Sequence, residues 1–166
     1  MVTTYEEFDI NAFKSEIINV ICENPKIIAL IDEDYVDAGG ALLNSRIFPY
    51  IRIPKTIEQS PPYVCFKVDH IRNANTYLET IDVTMYIVCH EKEMDKQVYD
   101  FENKLPLSGT IIDILGEEMK KTLCGLDTKW IGELRLYSNT EEILSYEYPC
   151  RVLVFTAFKE SYANYK

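Results

Sequence analysis

The chain has no apolar run near the roughly 18 residues needed to cross a bilayer, and no lysine or arginine before Lys14. A start such as Met1 to Asp9, acidic and without basic residues, lacks the n-region of a secretory or organelle signal. A soluble protein is the expectation. Only two histidines occur, and the five cysteines (Cys22, Cys65, Cys89, Cys124 and Cys150) include no pair two to four residues apart. That spacing excludes the usual zinc knuckle, and an odd number of scattered cysteines is expected to be free and mostly buried. Basic charge is also scarce, with 17 Lys and Arg against 27 Asp and Glu for a net charge of −10. A chain so acidic does not grip nucleic-acid phosphates or anionic lipid by long-range attraction.

What is present describes one ordinary globular domain over residues 1–166, with 47% apolar and 12% aromatic residues. Phe13, Ile17, Val20 and Ile21 recur at helical spacing after the possible caps Asp9 and Asn11, and Asn24-Pro25 both ends that helix and opens a shorter one through Ile27, Ile28, Leu30 and Ile31. The run Ile47 to Pro54 alternates between two prolines and suits an edge strand. Alternating residues in Tyr63 to His70 and Glu79 to His90 predict a long hairpin, with Ile81, Val83, Met85, Ile87 and Cys89 as the buried row. A second hairpin is expected from Lys129 to Ser138 and Tyr148 to Phe158, joined through the polar segment Ser138 to Glu142. Between the hairpins, Glu91 to Leu107 reads as a charged mobile excursion with a helical turn near Lys96 to Phe101. From a Ser108 cap, Ile111, Ile112, Leu115, Met119 and Leu123 then form a helix face ending at Gly125. The fold class is α+β: a mostly antiparallel sheet of four to five strands, made of two hairpins, packed against an N-terminal and a central helix.

Tests for chemistry find little. The acidic stretch Asp32, Glu33, Asp34 and Asp37 fails the calcium-loop template, which wants Gly at position six and Glu at position twelve, where Asp37 and Leu43 stand. His70 and His90 each end a strand beside an acid, and an antiparallel hairpin places them roughly 30 Å apart, too far to share a metal. Asp82 lies in a strand, as a Mg²⁺-dependent nuclease requires, yet Glu102-Asn103-Lys104 and Glu118-Met119-Lys120 lie elsewhere. No Gly-rich phosphate loop occurs. No catalytic, metal or cofactor-binding residue is assigned.

The stretch Arg46-Ile-Phe-Pro-Tyr-Ile-Arg-Ile-Pro54, the strand Pro62 to Asp69, the strand Thr80 to His90 and the element order over residues 11–158 resemble the tail-terminator (tail-completion or head-to-tail joining) proteins of tailed bacteriophages. The resemblance implies a virion structural protein with no catalysis and no cofactor. In that family a ring, usually hexameric, caps the tail tube and meets the neck or connector of the head, and DNA passes through its bore without specific binding. The implied partners are further copies of the chain, the tail-tube protein and a neck or head-completion protein, with no membrane. The implied place is the virion neck, or the host cytoplasm during assembly. Six copies at −10 would carry about −60, suited to a duct that must not hold phosphates. A closed ring needs unlike, complementary patches. Two are expected here: Phe48, Tyr50, Ile51 and Arg52 against a neighbouring subunit, and Glu91, Lys92, Glu93, Lys96, Tyr99 and Lys104 toward the bore or tube. The alternative for Phe48 and Ile51 is to cover the protein's own helix. Another neck or head-completion protein, a small metal-dependent nuclease and a cellular binding module are the competing functions.

Overall fold

The computed structural model describes residues 8–32, 42–53, 61–72 and 78–160. The acidic stretch beyond Asp32, its Gly39-Gly40 pair and Pro54 lie outside the described residues.

Helix α1 spans Ile10–Cys22 and is capped by Asp9, whose carboxylate accepts the backbone N–H of Asn11 and Ala12. Asn24 caps α2, Pro25–Ile31, in the same way, with Pro25 in the first turn, where a missing N–H costs nothing. Helix α4, Ile111–Leu123, follows a short helix and ribbon described below, and buries the five residues that its spacing marks. Its cap is Thr110 rather than Ser108, and Gly125 ends it in the left-handed region at φ +83°.

The main sheet has the order β1-β2-β3-β7-β6: β1 is Ile47–Phe48, β2 Tyr63–Arg72, β3 Leu78–Val88, β6 Arg135–Ser145 and β7 Tyr148–Glu160. All its pairings are antiparallel except β1 with β2, so the α+β antiparallel architecture is as expected. Three expectations need correction. The Pro-bounded strand is an edge strand but shrinks to two residues, since Pro49 has no N–H to extend a ladder. Strand β6 begins at Arg135, outside which Trp130 falls, and it runs through Ser138 to Glu142, the residues expected to form a connection. An edge strand with few buried residues needs no apolar alternation, so its polar sequence does not mark it. The helical turn of the excursion is α3, Glu91–Met94, and the residues expected to be helical enter a two-stranded ribbon of β4, Val98–Tyr99, and β5, Pro106–Leu107.

Two apolar clusters lie on opposite faces of the sheet. On one face Phe13, Ile17, Ile21, Ile27, Ile112, Leu115 and Met119 from the helices meet Val64, Phe66, Ile81, Val83, Met85, Leu153 and Phe155. On the other, at one end only, Phe48, Tyr63, Cys65, Val88, Tyr148, Cys150 and Val152 form a smaller cluster. Beyond it the same face carries Lys67, Asp69, Asp82, Thr84 and Thr156, and Lys67 pairs with Asp69 at 2.7 Å. Gly116 leaves a notch in α4 through which the stem of Arg151 passes, since a Cβ there would stand 2.8 Å from Arg151 Cδ. Arg151 thereby reaches Asp113 (Nε to Oδ1, 2.7 Å) and Asn139 (2.9 Å), tying helix, β7 and β6 together.

Candidate assembly surfaces

The first group of expected contact residues divides by depth. Phe48 is fully buried, and it packs on the sheet face away from the helices, edge-on to Tyr63 at 5.9 Å. Neither expected role fits it, because it is a core residue of the smaller cluster. It instead carries the exposed residues around it: Tyr50 leans edge-on at 5.7 Å and the Arg52 guanidinium lies 4.5 Å above its ring. The segment is further held by Lys14 Nζ donating to the Pro49 carbonyl at 2.7 Å and by Tyr63 Oη donating to the Arg52 carbonyl at 2.9 Å. Tyr50, Ile51 and Ile53 are left in solvent, Tyr50 with 49% of its surface exposed.

The second group lies between β3 and α4. His90 caps α3 through Nδ1, which accepts the Lys92 N–H at 3.1 Å. Nε2 is buried 3.5 Å from the Glu147 carboxylate and makes no hydrogen bond with it. Glu91 donates its backbone N–H to the Glu147 carbonyl, so the start of α3 is tied to the β6–β7 turn. Glu93 pairs with Lys96 at 2.6 Å, Tyr99 is exposed on β4, and Lys104 lies 5.1 Å over the Phe101 ring. Asp100 closes the ribbon turn by accepting the N–H of Asn103 and Glu102, which holds its carboxyl below the usual range. Glu93, Lys96, Tyr99 and Lys104 line a groove of about 1380 Å³ to which Arg46, just before β1, also contributes, whereas Phe48, Tyr50, Ile51 and Arg52 lie outside it.

The other chemical candidates separate in space. The register puts His70 opposite Ile81 and Tyr63 opposite Val88, so His70 and His90 stand at opposite ends of the hairpin. Asp82 accepts from the Thr156 hydroxyl at 2.8 Å and faces Asp69 across the strands. Among the described residues, no group of three or more His, Cys, Asp or Glu converges as a metal would need. Cys65, Cys89 and Cys150 are buried and Cys124 is exposed. Burial pushes the Cys89 thiol up to about 12 and the Cys150 thiol up to about 11, which keeps both protonated and unreactive at neutral pH.

Two features escape the sequence. Glu79 is buried between His70 Nε2 at 2.6 Å and Arg72 Nε at 2.9 Å, a clamp set by the register that places Arg72 opposite Glu79. The outer edge of β6 and its turn expose Tyr137, Ile143 and Tyr146, at 80%, 78% and 86%. These are the most exposed large apolar side chains among the described residues, and the aromatic and β-branched residues flanking Ser138 to Glu142 were the available sign.

The sequence matches the family described as YomW over residues 15–157. No curated protein matches it. Among solved structures, a chain from the virion of a native gene transfer agent (GTA) particle is similar in fold, with a TM-score of 0.52 at 9% identity, covering 92% of this chain and 98% of that one.

Proposed function

Because the chain belongs to the YomW family, and its fold is also that of a chain in a gene transfer agent virion, we propose that it is a structural protein of a phage-type particle. Within that class it acts as a tail terminator: a ring, hexameric in this reading, that caps the tail tube and joins it to the neck, with DNA passing through the bore. The observation that carries the reading is the fold likeness over nearly the full length of both chains. Two further features support it. The sheet ends in unlike exposed patches, as a head-to-tail ring requires, and the net charge of −10 suits a duct that DNA must leave freely.

The test mixes the purified chain with tail tubes. Rings at tube ends and arrested tube growth, seen by electron microscopy, are expected. Binding to head connectors but not to tubes would move the chain to a head-completion role. Metal-stimulated hydrolysis of DNA that is lost in Asp82→Asn would replace the structural reading with a nuclease.

A further inference from the structure

The two ends of the main sheet differ in charge as well as in position. At the β1 end, residues 42–53 contain two charged side chains, Arg46 and Arg52, both cationic, beside exposed Tyr50, Ile51 and Ile53. At the β6 end, residues 135–147 contain four, the cation Arg135 and the anions Glu141, Glu142 and Glu147, beside exposed Tyr137, Ile143 and Tyr146. The net charges of the two segments, +2 and −2, are opposite in sign, and each segment exposes large apolar side chains. Part of the acid is met within the chain, as Glu141 lies 3.6 Å from Arg151 and Glu147 lies 3.5 Å from His90. Both glutamates stay at least one-third exposed, so they still contribute to the potential of that edge.

Strand polarity adds a second argument. Strand β1 runs parallel to β2, and the antiparallel steps to β3, β7 and β6 leave β6 antiparallel to β1. Copies that stand the same way up around a rotation axis would bring β6 of one alongside β1 of the next in the antiparallel sense that this sheet already uses. A two-fold pairing of β6 ends would set Glu141, Glu142 and Glu147 against themselves, which costs affinity.

We propose that the β6 edge of one copy, through Tyr137, Glu142, Ile143 and Tyr146, docks on the Tyr50, Ile51, Arg52 and Ile53 patch of the next copy. The contact is heterologous and propagates around a ring. This inference rests on the ring reading above and names the surfaces that close it.

Cross-linking tests the geometry. In a Cys124→Ser background, Ile51→Cys combined with Ile143→Cys should give a bis-maleimide ladder of dimers, trimers and higher species ending at a closed ring. Either substitution alone should give no ladder. A dimer from Ile143→Cys alone would mean a two-fold contact and overturn the inference. Charge supplies the second arm. Arg52→Glu and Glu142→Lys should each weaken self-association by roughly tenfold or more, and an equimolar mixture should restore it, because each altered end then finds an opposite partner. Rescue on mixing also shows that both variants are folded. Rings at tube ends without cross-links or rescue would overturn this interface and leave the tail-terminator reading standing. Failure of any ring to form, with or without tubes, would overturn both.

Discussion

Truncating Phe48 separates an anchor from a contact residue. The ring has no exposed surface and packs against Tyr63, Tyr50 and the Arg52 guanidinium. Phe48→Ala therefore removes a fully buried aromatic, a loss of about 3–5 kcal/mol, and the stacked cation adds about 0.5–1 kcal/mol. Tyr50→Ala removes a half-exposed ring and should change the stability of the isolated chain by no more than about 0.5 kcal/mol. Trp130 is the only tryptophan and is buried, so its fluorescence reports urea unfolding without a label. With a urea slope of about 2 kcal/mol/M, the Phe48→Ala midpoint should fall by about 2–3 M and the Tyr50→Ala midpoint by less than about 0.3 M. The assembly assay should reverse the emphasis, with Tyr50→Ala folded but poor at self-association. Equal midpoint shifts in the two variants would refute the division of labour.

Two further predictions concern the chain alone. Glu79→Gln weakens the carboxylate clamp on His70 and Arg72 and should cost about 1–3 kcal/mol, less than for a fully enclosed pair because Arg72 is largely exposed; at roughly 2–4 °C per kcal/mol, calorimetry should show a fall in Tm of about 2–12 °C. The buried thiols of Cys65, Cys89 and Cys150 have folded pKa values raised above the ordinary 9.0. The unfolded chain thus releases those protons first, and stability should be intact below pH 9 and fall as pH rises toward 11–12. Urea midpoints between pH 8 and 11 test this, as does a thiol reagent, which at pH 8 should label Cys124 well ahead of the other four.

How far these features were legible depends on how each residue meets solvent. Helices α1 and α4 bury one stripe and expose the other, so Phe13, Ile17 and Ile21, or Ile112, Leu115 and Met119, announce themselves by spacing. Strand β3 does the same with period two. Strand β6 has only one neighbour and little covering it, so Ser138 to Glu142 looks like a loop although each residue sits in a ladder with β7. Phe48 was noticed but misassigned, because alternation tells that two faces exist and not which of them another part of the chain will cover. The proposed contact surface was half visible: Tyr50, Ile51 and Arg52 followed from the proline-bounded segment, whereas exposed Tyr137, Ile143 and Tyr146 required β6 to be recognised as a strand. The clamp at Glu79 depends on strand register, which no local pattern of the two segments states.

The uneven placement of the two clusters has a mechanical consequence. At the Tyr63, Val88 and Cys150 end the strands are clad on both sides, while toward Lys67 to Arg72 the apolar clusters of the described residues cover one side only. Stiffness must then grade along each strand, with a braced root and a free blade. The patch carrying Tyr50 and Arg52 is seated at the root, so in the ring proposed above a neighbour gripping it would meet a braced footing, and the blade would be left to twist.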